Sequence, residues 1–346
     1  MSIWHLHRIP DPVEAAASDT LLAFDALSAP GSASIRLGTL RLRRRIGMTL
    51  PRYWYHVGEV VHSAPTLDLF RREKVLLLGN DFTAASELAD IRVDAADGPP
   101  ARCTEILEIM IRAALLLLDT TAGGKDEPIE DELRTIVELP GVRTGNGAFP
   151  FWEGLGRFFH DANPDDGERE YGPAWRSHVA ALLPRHPVVV SLLRSSARTA
   201  IGEVGESATA LRDALLAQGF GPSRHVGIID GGPVYCSEAR FRQAARTCEL
   251  VPEVAEPKAE TAPSWLLRPD HREEVWCLPG HDHGGGIALA ADALERCGLA
   301  TGGAAAVLPR TPREERQGPW EQRPAQAGPA ARRACGAAPT IGGPTD

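Results

Sequence analysis

Two apolar runs typical of buried strands flank a polar segment in the stretch LLLGNDFTAASELADIRVD, residues 76–94. The segment GNDFTAASE is dense in side-chain oxygens, and burying a polar group without a partner costs roughly 1–3 kcal/mol. Such a segment between two core strands therefore needs hydrogen-bond partners. Either the turn bonds to its own backbone, as Asn and Asp often do, or a substrate binds there.

Strand-like runs precede and follow one strongly apolar helix. The runs YHVGEVVH, KVLLLGN, SELADIRVD and RTIVELPGV predict strands, and residues 104–118 predict a core helix with Thr104 as its N-cap. This order predicts an α+β fold in which a mixed sheet is flanked by helices. The strand SELADIRVD leads through a loop into the helix N-terminus, where free N–H groups favour a phosphate.

Arginines alternate at the end of the run IRLGTLRLRRRIG. Arg41, Arg43 and Arg45 would share one face of a strand. That face is either a solvated sheet edge or a stripe that contacts phosphate.

Composition divides the chain into three parts. Residues 1–247 are expected to form the mixed-sheet domain, and the short strand-like pieces of residues 248–310 a small β-rich domain. Residues 311–346 are Pro, Gly, Ala and Arg with little apolar content, and we expect a disordered tail because burial would not offset the ordering entropy.

Charge and cysteine usage exclude several classes of function. The net charge of −9, from 37 Lys and Arg against 46 Asp and Glu, gives no reason to expect nucleic acid or a membrane surface as partner. The apolar helix is shorter than the roughly 20 residues that a bilayer requires. The six cysteines are scattered without a CxxC pair, which favours a cytoplasmic location. The pairs HDH and WHLH offer no third ligand, so no metal site is expected.

Seven blocks carry a resemblance to a known family. The chain resembles bacterial arginine N-succinyltransferases across roughly residues 21–308, in the blocks YHVGEVVHSAPTLDLF, LLLGNDFTAASEL, FPFWEGLGRFF, AALLPRHPV, AIGEVG, LLAQGF and IIDGGPVY. The resemblance implies a GNAT-like acyltransferase sheet followed by a small β-barrel-like domain. It also implies transfer of succinyl from succinyl-CoA to the α-amino group of L-arginine, with a homo- or hetero-oligomer as the possible assembly.

The resemblance implies a set of site residues. In a GNAT-like sheet two strands separate and the thioester arm lies against the exposed backbone of one of them. The residues then expected to act are Glu87 and His225 in catalysis, Asn80, Asp81, Ser86 and Asp230 in substrate binding, and Ile91, Val93, Gly98, Arg102 and Thr104 in holding succinyl-CoA.

Two departures from the family pattern leave an alternative function open. The position of the family's proton-donor His is Gly205, and glycine donates no side-chain proton. The loop at residues 94–103 lacks the family's basic glycine pattern, and Pro99 and Pro100 remove N–H groups. The chain is therefore either an acyltransferase with a substituted acid or solvent as proton source, or a catalytically impaired relative that binds a ligand or a partner subunit.

Overall fold

Strands make up most of the computed structural model, which describes residues 3–11, 19–27, 33–94, 100–121, 133–172, 174–239, 242–253, 263–270 and 272–310. Within these residues the chain forms sixteen strands: β1 Ile3–Arg8, β2 Asp19–Leu27, β3 Ile35–Arg43, β4 Trp54–Ala64, β5 Leu69–Gly79, β6 Ser86–Val93, β7 Arg134–Glu138, β8 Val188–Val189, β9 Gly221–Gly227, β10 Pro233–Glu238, β11 Arg246–Pro252, β12 Ser264–Pro269, β13 Glu274–Pro279, β14 His281–His283, β15 Gly286–Leu289 and β16 Ala304–Pro309.

The described α-helices are fewer, and most of them are short. They are α1 Pro100–Thr121, α2 Pro150–Gly154, α3 Pro164–Tyr171, α4 Ala174–Leu182, α5 Ser195–Ala200, α6 Thr209–Ala217 and α7 Ala291–Arg296. No helix in the described part of the chain combines the length and the apolar character that a membrane crossing needs.

The strands pair in the order β14-β15-β11-β16-β12-β13-β1-β2-β3-β6-β7-β10-β9-β4-β5-β8. Most neighbours are antiparallel, whereas β6 and β7 are parallel, as are β11 and β15. The sheet is therefore mixed, and the predicted α+β class is confirmed. The finer GNAT-like assignment stays a prediction.

Helix α1 packs on the centre of the sheet, and its residues Ile106 to Leu118 are largely buried. Arg112 is the buried one of the two charged residues in this stretch, and its guanidinium donates to the Pro309 carbonyl and to the side-chain oxygens of Gln218 and Gln243. Burial lowers the pKa of Arg112 to about 10. The helix begins at Pro100, so the predicted N-cap role of Thr104 is wrong: proline suits the first helical turn, and Thr104 lies inside the helix.

Strands β11–β16 and α7 surround a hydrophobic core of their own, to which β1 contributes Ile3. Strand β1 joins this region to the rest because it pairs with β13 on one side and β2 on the other. The predicted boundary at residues 247 and 248 falls inside β11. The division into domains stays a prediction, and the predicted disordered tail lies outside the described residues.

Gly38 of β3 pairs with Val93 of β6, close to an irregularity in that strand. The β3–β6 register shifts between Thr39↔Arg92 and Arg41↔Ala89, so β6 carries a bulge at Asp90 and Ile91. A Cβ on Gly38 would come 2.4 Å from the Arg92 carbonyl oxygen. Glycine at this position therefore permits the close approach of β3 to the bulged strand.

Replacing Gly38 with Ala is expected to lower the free energy of unfolding by about 1–3 kcal/mol, because backbone must move to admit the methyl group. Urea unfolding measures the change. Gly145→Ala is the control, since a Cβ there meets nothing within 4 Å. Equal stability of the two variants would contradict the close approach.

His5 of β1 provides a pH-dependent contribution to stability. Its ring stacks on Trp276 at 3.6 Å and contacts the Glu274 carboxylate at 3.1 Å. Burial, with a smaller contribution from His7, lowers the pKa of His5 to about 4, although Glu274 and Asp25 oppose the shift.

Because unfolded His5 takes up a proton near pH 6.5 and folded His5 only near pH 4, the unfolded state binds more protons between these values. Stability should therefore fall as the pH drops from about 6.5 to about 4. His5→Phe should flatten this part of the curve in chemical unfolding measured at several pH values. His62→Gln, at an exposed histidine, should leave the curve unchanged.

Candidate active site

The sheet splits between β6 and β7. These parallel strands pair only at Ser86↔Thr135 and Glu87↔Ile136. Beyond that point β6 continues along β3 to Val93, while β7 continues along β10 to Glu138. Among the described residues, the edge of β6 from residue 88 to 93 therefore has no strand partner on the β7 side, as the sequence interpretation required.

A cavity of about 540 Å³ fills the split. Strands β6 and β7 form two of its walls, and the turn after β3 and the helices α3 and α4 complete it. Its lining includes five arginines and five carboxylates, which are Arg43, Arg44, Arg45, Arg52, Arg176, Asp19, Glu87, Asp90, Glu138 and Glu168. The cavity is thus strongly polar but close to balanced in charge.

The bulge in β6 faces this cavity. Asp90 has a φ of 50°, a left-handed conformation that is uncommon for residues other than glycine. Its carboxylate accepts a 2.9 Å hydrogen bond from Arg41 Nε. The bulge interrupts the ladder with β3 at Asp90 and Ile91, and pairing resumes at Arg92.

Arg41, Arg43 and Arg45 do not share a solvated edge. Arg41 is buried against Asp11 and Asp90, since β3 lies inside the sheet between β2 and β6. Arg43 ends the strand, and Arg45 follows in a turn with a φ of 53°. The prediction of a solvated edge face is therefore wrong.

A chain of alternating charges crosses the split. Glu87 of β6 is 2% exposed and accepts hydrogen bonds from Arg43 at 3.0 Å and from both terminal nitrogens of Arg52, one of them at 3.1 Å. Arg52 also donates to Glu138 of β7. Arg176 then connects Glu138 to Glu168. The strands are thus joined through side chains at the point where their backbones separate.

Glu138 is held in its anionic form. Burial alone would raise the pKa of its carboxyl, but Arg52 and Arg176 outweigh burial, and with a 2.6 Å hydrogen bond from Trp54 Nε1 they lower that pKa to about 2. A carboxylate with such a low pKa does not exchange protons near neutral pH. Glu138 can therefore attract a cation but cannot act as the acid or the base.

His225, one of the two predicted catalytic residues, is not among the described residues that line the cavity. Its Nδ1 donates to the Ser223 carbonyl at 2.9 Å, and its Nε2 lies 2.7 Å from Asp81 Oδ2. Both ring nitrogens therefore face acceptor oxygens of the protein. The structure does not bring the two predicted catalytic residues together, because Glu87 lines the cavity and His225 does not.

The polar segment GNDFTAASE bonds largely to the protein itself. The Asn80 carbonyl accepts from Thr83 N at 3.0 Å and from Thr83 Oγ1 at 2.8 Å. The Asn80 side chain is exposed, and Ser86 is buried in β6 opposite Thr135. These contacts account for the polar turn without a substrate, and the substrate-binding roles of Asn80, Asp81 and Ser86 stay predictions.

Asp230 holds two loops together. Its carboxylate accepts from Gly141 N at 2.7 Å and from Gly232 N at 2.9 Å. In the same contact Gly205 N donates to the Pro140 carbonyl at 2.8 Å, and a Cβ at Gly205 would lie 2.6 Å from the Gly141 carbonyl oxygen. Backbone packing therefore explains Gly205, and the substrate-binding role of Asp230 stays a prediction.

The residues expected to hold succinyl-CoA are spread along β6 and α1. Ile91 lines the cavity, and Val93 pairs with Gly38. Arg102 is exposed and Thr104 half-buried in the first turns of α1, whereas Gly98 lies outside the described residues. Their roles stay predictions.

The sequence interpretation missed Arg52, Glu138 and Arg176. Glu138 ends the otherwise apolar strand of TIVELPG, and a charge at that position was the available signal. For the two arginines we find no signal in the local sequence.

Comparison with known proteins places the chain in a family. The model of the arginine N-succinyltransferase beta subunit (AstA) matches residues 31–244, more than half of the chain. Arginine N-succinyltransferases of Salmonella arizonae and Salmonella paratyphi B are each 30% identical over 220 residues, which cover 63% of this chain and 60% of the relative. The match thus spans less than two thirds of those relatives.

A solved structure shows the same fold. Subunit AI of the arginine/ornithine succinyltransferase from Pseudomonas aeruginosa superposes with a TM-score of 0.68 at 21% identity, covering 87% of this chain and 84% of that one. Fold and family match agree, and the chain belongs to the arginine N-succinyltransferase beta subunit family.

Proposed function

We propose that this protein is a CoA-dependent N-acyltransferase that transfers a succinyl group from succinyl-CoA to the α-amino group of L-arginine. The observation that carries the proposal is the split between β6 and β7, which leaves backbone exposed along a polar cavity of about 540 Å³. Membership of the family supports the choice of donor and acceptor.

The donor would lie along the open edge of β6. An extended thioester arm presents amide groups that can pair with an unpaired strand as a neighbouring strand would. The exposed edge runs through Leu88 to Ile91, which line the cavity. The diphosphate would then lie toward the N-terminus of α1, which follows β6 in the chain. This placement is the GNAT-like mode of binding.

The acceptor needs anionic partners and a neutral amine. Glu138 supplies a permanent negative charge in the cavity, as its low pKa requires. A carboxylate of this kind binds a guanidinium through paired, charge-assisted hydrogen bonds. Binding in a fixed position brings the α-amino group to the thioester and lowers the entropic part of the barrier.

Proton transfer would involve solvent. Across the described part of the chain, the cavity lining contains no His, Cys, Tyr or Lys. Its five carboxylates are each paired with an arginine. We therefore assign proton removal from the amine, and protonation of the leaving thiolate, to water in the open cleft. The five described free cysteines and the use of succinyl-CoA support a cytoplasmic location.

Titration of the protein with succinyl-CoA should show saturable binding by calorimetry, and adding L-arginine should release CoA thiol. The alternative function, a catalytically impaired subunit, predicts binding without thiol release. Absence of succinyl-CoA binding would contradict the proposed function.

The rate should rise with pH because the reactive form of the acceptor is the neutral amine. Below the pKa of the acceptor's α-amino group, kcat/KM for L-arginine should increase by about tenfold per pH unit, without a further break from an enzyme group near neutrality. His225→Gln tests the predicted histidine acid. An unchanged pH profile is expected. Loss of the rising or the falling part of the profile would indicate that His225 takes part in proton transfer.

A further inference from the structure

Arg176 of α4 places its guanidinium inside the polar cavity. It donates through Nη1 to Glu138 and through Nε, at 3.2 Å, to Glu168. The two carboxylates come from different elements, β7 and α3. All three residues line the cavity, and the Arg176 side chain is 40% exposed.

A guanidinium held between two carboxylates is the arrangement that the proposed acceptor requires. We propose that Arg176 occupies the position of the acceptor's guanidinium, so that L-arginine binds by displacing this side chain. The inference rests on the proposed function and names Arg176 as the residue that sets the affinity for the acceptor. Arg176 then acts as an internal competitor.

The neighbouring contacts make such an exchange feasible. When Arg176 leaves, Glu138 keeps its hydrogen bonds from Arg52 and Trp54. Glu168 is 44% exposed, so water solvates it during the exchange. An incoming guanidinium replaces the departing one on the same carboxylates, and the net change in hydrogen bonding is small.

Arg52 is not equivalent to Arg176. Its side chain is 17% exposed and bonds to Glu87 as well as Glu138. Displacing Arg52 would leave Glu87 buried with fewer partners, which is costly for a buried carboxylate. The incoming guanidinium therefore exchanges with Arg176, which is more exposed, and not with Arg52.

Occupancy by Arg176 should weaken acceptor binding in proportion to the fraction of time that the position is open. If the position is open about a tenth to a fifth of the time, removing Arg176 lowers the Kd for L-arginine roughly five- to tenfold. A purely structural Arg176, which only neutralises Glu138, predicts the opposite. Its removal would then loosen the cavity and raise the Kd.

The test measures L-arginine binding to Arg176→Met by calorimetry, with CoA present to fill the donor side. Arg176→Gln is a second variant that keeps a polar head without the charge. Arg169→Met is the matched control, since Arg169 is 74% exposed and pairs with Asp166 on the surface of α3. L-citrulline, the uncharged isostere of arginine, is the ligand control.

Both Arg176 variants should bind L-arginine more tightly than the wild type and the Arg169 control, and the Kd for L-citrulline should fall by a similar factor, because both ligands need the vacated position. In turnover, KM for L-arginine should fall while kcat is unchanged. An unchanged or raised Kd for L-arginine in both variants overturns the inference, as does a gain for L-arginine while the Kd for L-citrulline is unchanged, since loss of a positive charge alone would explain that result.

Failure of the proposed function gives a different result. Tighter L-arginine binding in the variants, without thiol release from succinyl-CoA, would support Arg176 as an internal competitor and contradict the proposed transferase activity. Thiol release by the wild type, together with a raised KM for L-arginine in Arg176→Met, would support the transferase activity and contradict the role of Arg176 as a competitor.

Discussion

The guanidinium of Arg52 bonds to Glu87 on β6 and to Glu138 on β7 at the point where these strands stop pairing. Without a cation between them, the two carboxylates would repel each other in a region of low dielectric constant. With Arg52 in place both carboxylates bind one shared guanidinium, which links β6 to β7 through side chains. The open edge of β6, the cavity and the placement of Glu138 all depend on this bridge.

Such a bridge is not an efficient source of stability. Removing charges from water costs several kcal/mol per ion, and well-packed apolar residues often do as well or better. Its directional hydrogen bonds nevertheless fix the distance between the Glu87 and Glu138 carboxylates, which apolar contacts would not do. Trp54 reinforces the arrangement, because its indole N–H donates to Glu138 and its ring packs on Phe82 in the core. The ionic chain is best understood as a spacer that keeps a sheet open.

The sequence predicts what depends on local pattern. Alternation and apolar runs placed β4 to β6 and α1, because periodicity reports which face of an element is buried. It did not predict the bridge, whose partners lie 35 and 86 residues apart in the chain. The start of α1 was misplaced because Thr104 has the chemistry of an N-cap, while the proline that begins the helix resembles part of a loop. Arg41 has the pattern of an exposed stripe, and only the position of β3 inside the sheet shows that it is buried.

Gly205 and the polar turn at Asn80 are two further places where the sequence pattern does not show which groups a residue contacts. The turn suggested a substrate, yet Thr83 and His225 supply partners for its backbone carbonyl and for Asp81. Gly205 suggested a missing acid, yet its lack of a side chain lets it approach the Pro140–Gly141 backbone, and Pro140 lines the cavity. Glycine at position 205 lets the backbone pack closely at this wall of the cavity, but it provides no side-chain proton donor. In the proposed function, the reaction would depend on an anion that stays charged, an open strand edge and water, together with an acceptor amine that arrives neutral.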